Sequence, residues 1–285
     1  MICGDVAGIL TPFETSVVPD IREQLPLIKD MPVFDDDIFM VAFAKTGSHW
    51  VWEIINMLTK GSAEHDTTPK TTFQLEFHYP EVFKDFQRPR IFNTHNLPHH
   101  LPKQAIEKRC KIVVVQRNPK DTVVSLYYHM KGFGAIDDKT SFSDFLAAWL
   151  KLDTEITINW FYYTHKLQEA IYEQKDVDIY NIFFEDLKSD PANEIRKLAK
   201  YLDVKNKSDE FINEVAESCC FSNMKKAHES KKTEIEGMPK KVFDFMIRKG
   251  EVGDWKNHFT AAENKLFDKL YMERTKDLKF SYRYT

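Results

Sequence analysis

The stretch Ile38–Lys60, IFMVAFAKTGSHWVWEIINMLTK, decides the fold. Residues 38–43, IFMVAF, are a short apolar run rich in aromatics, as expected of a buried strand. Residues 50–60, WVWEIINMLTK, place Val51, Ile54, Ile55 and Leu58 at helical spacing. The intervening AKTGSH is polar and short. Strand, tight loop and helix, in that order, open an α/β unit. The first amides of a helix lack partners inside it and point into the loop, where they favour an anion. Lys45 adds a positive charge, and Thr46 and Ser48 add hydroxyls. The G-x-x-x-x-G-K-[ST] phosphate loop is absent, because here the lysine precedes the glycine. On this stretch alone, an ordinary turn with a solvated lysine explains the residues equally well.

Outward from this unit, RIFNTH (90–95), KIVVVQ (111–116) and DIYNIFFE (178–185) read as further strands. KIVVVQ is apolar without alternation, which suits a parallel sheet covered on both faces. Helices are expected from Pro119 onward, over 141–152 and 155–174, from Pro191 to near Leu202, through most of 208–227, and over about 261–275. This alternation predicts an α/β fold: one domain, 1–285, with a central, mostly parallel sheet and helices on both faces. Residues 1–34, with Pro12, Pro19, Pro26 and Pro32, read as an irregular N-terminal arm. Residues 61–89 read as a broken, polar insertion. The charged stretch 229–247, with Gly237 and Pro239, has no sustained apolar face and is expected to be a mobile lid.

With 285 residues, the chain can bury a substantial core without disulfides or a structural metal. A net charge of −4 argues against a protein devoted to nucleic acid, which usually carries a broad basic surface. Cys3, Cys110, Cys219 and Cys220 match no zinc or redox spacing, so a reducing, cytoplasmic compartment is expected. The N-terminus lacks a basic region before an apolar run, and no apolar stretch reaches the length of a membrane span, so neither a secretory signal nor a membrane association is expected.

Two further segments suit phosphate. Arg117 follows the strand KIVVVQ directly, and Ser125 lies in the helix after it, near the carboxyl end of the sheet where open α/β folds bind ligands. An arginine's planar fork can grip a phosphate with two hydrogen bonds. Arg248 and Lys249, in RKGEVGDW, stand beside Gly250, which lets backbone approach a ligand. Taken singly, each is explained as well by a surface residue or a solvated turn.

Together these segments resemble the cytosolic sulfotransferase family over nearly the whole chain. FAKTGSHW (43–50) is similar to that family's 5′-phosphosulfate loop, T-Y-P-K-S-G-T-T-W. RNPKDTVVSLYY (117–128) is similar to its 3′-phosphate segment, RKGEVGDWKN (248–257) to its C-terminal nucleotide loop, and IFFEDLKSDP (182–191) has a family counterpart too. The resemblance implies a P-loop-like nucleotide-binding architecture, 3′-phosphoadenosine 5′-phosphosulfate as donor, 3′,5′-diphosphoadenosine as product, and no metal. It implies that Lys45 binds the bridging oxygen and the sulfuryl group beside the amides of Thr46, Gly47, Ser48, His49 and Trp50. Trp50 would stack on adenine. Arg117 and Ser125 would hold the 3′-phosphate, Phe221 and Met224 would pack around the base, and Arg248, Lys249 and Gly250 would close over the phosphate. His95 would be the general base, a role its ordinary pKa near 6.5 allows.

The departures are specific. Asn93 stands where the family usually has a lysine that contacts the sulfuryl group. Phe184 replaces a tyrosine that contacts the nucleotide, and Cys219 replaces a threonine. Ala44 and His49 replace Pro and Thr of the loop. Asn93 keeps open a nucleotide-binding protein with little turnover; the other alternative is a P-loop phosphotransferase. The acceptor would be a small molecule bearing a phenol or alcohol hydroxyl. Phe13, Phe73, Phe77 and Phe133 are candidate walls for its pocket, and each serves equally well as core. The family's C-terminal dimerisation segment corresponds to Lys256, Thr260, Ala261 and Lys265, where Ala261 replaces a Val and Lys265 a Glu, so a monomer or a weak homodimer is expected.

Overall fold

Period-2 alternation divides the strands between two cores, and the sheet follows from that division. The computed structural model describes residues 5–6, 9–10, 21–66, 68–152, 158–172, 177–230 and 247–285. Strands β1 (Asp5–Val6) and β2 (Ile9–Leu10) pair antiparallel as a small hairpin. Strands β3 (Ile38–Ala42), β4 (Ile91–Thr94), β5 (Lys111–Gln116) and β6 (Ile179–Phe183) form a four-stranded sheet in the order β4-β3-β5-β6, parallel throughout. Phe39, Val41, Phe92, Ile112 and Val114 face one buried cluster; Ile38, Met40, Ala42, Ile91, Val113, Val115 and Ile182 face the other. Both faces are therefore covered, as the unbroken apolar run of β5 predicts.

The second cluster is closed by α2 (Ser48–Lys60), α8 (Pro191–Tyr201) and α9 (Asp209–Ser218). The first is closed by α4 (Pro119–Gly132), α5 (Phe142–Leu150), α6 (Trp160–Tyr172) and the C-terminal α11 (Ala261–Arg274). Further helices are α3 (Lys103–Glu107), α7 (Phe184–Ser189) and α10 (Phe221–Ser230).

The N-terminal arm departs from expectation, since α1 (Ile21–Lys29) is helical with Pro26 inside it. A proline there removes an amide from the helix ladder. Docking compensates: Ile28 is buried, and Gln24 Nε2 donates to the carbonyls of Leu75 at 2.6 Å and His78 at 2.5 Å. Tertiary packing has overridden a local turn signal. The 61–89 insertion is not wholly irregular either, as 3-10 turns cover Lys70–Phe73, Leu75–Phe77 and Pro80–Phe83. Phe13 and residues 231–246 of the expected lid lie outside the described residues.

The site is placed by sheet order. From β3 the chain passes to β4 on one side, then crosses back to β5 and β6 on the other. Connections leave β3 and β5 in opposite directions, which opens a crevice at their carboxyl ends. The loops carrying Lys45 and Arg117 flank that crevice.

Candidate active site

The loop after β3 turns on two left-handed residues, Lys45 at φ 71° and Gly47 at φ 105°. For lysine that conformation costs roughly 1–2 kcal/mol, so the strain is carried at the site itself. Thr46 anchors the turn: its hydroxyl faces the carbonyls of Phe43 at 2.8 Å and Val115 at 3.1 Å, and its amide donates to Phe43 O at 3.3 Å. The sequence reading gave that hydroxyl and amide to a ligand; in the structure the backbone takes them, because the loop must be fixed to β5. Trp50 N likewise donates to Gly47 O at 3.0 Å. Gly47 is the N-cap of α2, and a Cβ there would stand 2.7 Å from Phe184 Cδ2. Phe184 in turn holds Arg117 Cζ 4.2 Å above its ring and Trp50 edge-on at 5.4 Å. The ring thus joins the loop, the β5 arginine and the α2 tryptophan.

Arg117 Nη2 donates to Glu251 O at 2.7 Å and Nη1 to Lys45 O at 3.4 Å, while its buried Nε has no partner within the protein. Trp50 Nε1 is buried and unpartnered too. Asp121, on α4, accepts from Gly253 N at 2.7 Å, Trp255 N at 2.9 Å and Asn118 Nδ2 at 2.9 Å. It thereby latches the 248–255 loop to α4. Arg248 and Lys249 converge on Asp254 at 2.5 and 2.6 Å, and Arg248 lies 4.5 Å over the Tyr128 ring. Gly250, at φ 65°, packs so tightly that a Cβ would meet Phe221 at 2.5 Å. Ser125 is half-buried on α4, and Met224 is buried. Cys219 is buried as well, with Sγ 3.5 Å from Met57 Sδ, so its thiol belongs to the core behind α2.

At the end of β4, His95 Nδ1 lies 2.8 Å from Ala42 O. A carbonyl can only accept, so Nδ1 carries the proton and Nε2 keeps its lone pair. Glu76 steadies the turn: its Oε1 accepts from Thr94 Oγ1 at 2.7 Å, from Asn96 N at 3.2 Å and from His95 N. Burial, reinforced by Lys70 and Lys45, pushes the His95 pKa down to about 3. Lys45 Nζ lies 3.5 Å from His129 Nδ1. Burial and the charges of Arg117, Lys70 and Arg248 bring the Lys45 pKa down to about 7. Lys70, from the 61–89 segment, is buried; its Nζ donates to Asn93 Oδ1 at 2.5 Å, and Asn93 Nδ2 donates back to Lys70 O at 2.9 Å.

One edge of a parallel sheet therefore gathers an imidazole with a fixed tautomer and several cations around a helix start. A family model for the sulfotransferase domain matches residues 35–279. The chain belongs to the sulfotransferase family. It is 34% identical to sulfotransferase 1E1 of Bos taurus over 92% of this chain and 90% of that one. It is 31% identical to sulfotransferase 6B1 of Danio rerio over 92% and 86%, respectively. Among solved structures, mouse sulfotransferase SULT7A1 complexed with PAP superposes with a TM-score of 0.74 at 26% identity, covering 96% of this chain and 94% of that one.

In this sulfotransferase the structure brings together Lys45, Gly47, Trp50, Arg117 and Phe184 through direct contacts, and sets His95 and Asn93 beside them. Phe133 stacks edge-on against His129 at 4.7 Å, which places it next to Lys45. Phe73 instead packs with Phe86 at 4.9 Å and Trp52 at 6.0 Å, and Phe77 is half-buried beside Glu76. Sequence reasoning missed Lys70, Glu76, Asp254 and His129. A signal existed for His129: it is four residues beyond Ser125, so the two share a helix face. None existed for Lys70, which reaches the site from an irregular segment. Among the described residues, no cluster of His, Cys, Asp and Glu could hold a metal, and no helix is long and apolar enough to cross a membrane.

Proposed function

We propose that this sulfotransferase moves a sulfuryl group from 3′-phosphoadenosine 5′-phosphosulfate to a phenol or alcohol hydroxyl of a small molecule, leaving 3′,5′-diphosphoadenosine. The observation that carries this is Lys45, held at a helix start where burial first, and then the charges of Arg117, Lys70 and Arg248, disfavour its own charge. An anion is the ligand that relieves such crowding. The unpartnered Nε of Arg117 and Nε1 of Trp50 are donors that a phosphorylated nucleotide suits. The PAP named for the mouse relative supports the same nucleotide here.

In this reading Lys45 and the amides at the start of α2 hold the 5′ end, Arg117, Ser125, Arg248, Lys249 and Gly250 the 3′-phosphate, and Trp50, Phe184, Phe221 and Met224 the base. His49 contributes its amide, and Cys219 only shapes the wall. As the acceptor oxygen bonds to sulfur, its proton passes to His95 Nε2, and the sulfur–bridging oxygen bond gives its electron pair to the departing nucleotide. Lys45 steadies that departing charge. The chemistry requires no metal. Residues 1–285 are read as one domain with 1–34 as its arm, working as a monomer or weak homodimer in a reducing cytoplasm, with P-loop-like phosphate binding on a different consensus.

The test is calorimetric. 3′,5′-Diphosphoadenosine should bind far more tightly than 5′-AMP, and Arg117→Ala should remove most of that preference. Equal affinities in the native protein would overturn the assignment.

A further inference from the structure

Lys70 is in an unusual position for a lysine. It is only 5% exposed, and its ammonium meets a neutral amide, Asn93 Oδ1, at 2.5 Å. Buried lysines ordinarily end on a carboxylate. The carboxylate in its surroundings, Glu76, gives one oxygen to Thr94, His95 and Asn96 and leaves the other unpartnered. The Lys70 charge is felt by Glu76 and also by Lys45 and His95, whose pKa values it helps to lower.

The geometry explains how it arrives there. Asn93 and His95 are two residues apart at the end of β4, so their side chains leave the same face of the strand. Asn93 grips Lys70 at both ends, accepting from Nζ and donating to its carbonyl, and the bridge between Gln74 and Asn93 seats the 3-10 turn Lys70–Phe73 against β4. An ammonium has three N–H donors, and Asn93 takes one.

We propose that Lys70 supplies the positive charge at the transferring sulfuryl group, with Asn93 as its positioning residue. The cation that the resemblance would put at position 93 is delivered from the insertion instead, and Asn93 is small and polar because it must accept that cation. This inference rests on the proposed function above. It turns Asn93 from a sign of weak turnover into half of a working pair.

The test measures the intact donor and its desulfated product separately, by calorimetry, alongside turnover. Lys70→Gln keeps a donor for Asn93 but removes the charge. It should cut kcat by about 10²–10³-fold, as loss of one transition-state donor does. It should also weaken 3′-phosphoadenosine 5′-phosphosulfate by roughly tenfold while leaving 3′,5′-diphosphoadenosine within about twofold, since only the former carries the sulfuryl group. Asn93→Lys alone should impair the enzyme, because two ammonium groups then crowd one space. Combined with Lys70→Gln, it should restore most of the lost kcat. Full kcat and an unchanged ratio of the two affinities in Lys70→Gln would overturn the inference while leaving the sulfotransferase reading intact. Loss of 3′,5′-diphosphoadenosine binding in both Lys70→Gln and the double variant would also overturn it, by making Lys70 part of the scaffold. Failure of the native protein to bind either nucleotide would instead overturn the reading beneath it.

Discussion

His95 and Lys45 sit one residue and three residues past adjacent strands, and their chemistry is set by what surrounds them. His95 is neutral across the physiological range, because its pKa lies near 3. The kcat/KM profile should therefore show no acid limb at pH 6–7 from this residue. His95→Ala should lower turnover by about 10²–10⁴-fold with nucleotide affinity nearly unchanged, and normal turnover would rule out the general-base role. Lys45 sets the alkaline behaviour. With a pKa of about 7 in the free protein, it is mostly neutral at pH 8, whereas a bound anion favours its charged form. Binding of 3′,5′-diphosphoadenosine at pH 8 should then take up protons, and affinity should fall as pH rises above 7. At pH 6 Lys45 is already charged and the uptake should vanish. Calorimetry in buffers of different ionisation enthalpy reads this directly; equal uptake at both pH values would contradict it. The positions of Lys45, His95 and Arg117 were legible because each stands next to a strand whose apolar run marks it. Lys70 and Glu76 were not, because their places depend on how an irregular segment folds back over β4.

At the scale of elements, the turn from β3 into α2 is the most tightly constrained part of the proposed donor site. Gly47 meets two demands there, a left-handed backbone at φ 105° and contact with Phe184 that leaves no room for a Cβ. Gly47→Ala should cost roughly 1–2 kcal/mol from the conformation alone. It should also push Phe184 away from Arg117 and Trp50, so nucleotide affinity should fall further than thermal stability does. A variant with native affinity would show that Phe184 gives way freely. Strand and helix existence followed from periodicity at this scale: β5 matches its expected range, and α4 starts at the expected Pro119. α1 escaped because Pro26 reads as a turn, whereas Gln24 and Ile28 hold the helix through partners far along the chain.

Across the whole molecule, the two ends of the sheet have different tasks. At the amino end, the buried Arg90 guanidinium pairs with the buried Asp37 carboxylate through Nε at 2.9 Å and through Nη2, and also donates to Phe83 O and Pro32 O, both at 3.1 Å. Arg90→Ala strands Asp37 without its counter-charge and should destabilise the protein by about 3–5 kcal/mol. The folded fraction should still bind nucleotide normally, because the carboxyl end is untouched. A parallel loss of affinity in denaturation and binding measurements would show the two ends to be coupled. The carboxyl end has its own ion pairing. Although burial pushes its pKa up, hydrogen bonds from Lys249, Asn257 and Arg248 hold the Asp254 carboxyl well below the usual carboxylate range. A phosphate reaching Arg248 and Lys249 therefore displaces an anion that the protein already holds. Binding at this loop is an exchange between an internal counterion and an external one. Fewer dissolved salt ions should then move than two bare cations would release, and affinity should resist ionic strength better than the count of basic side chains suggests.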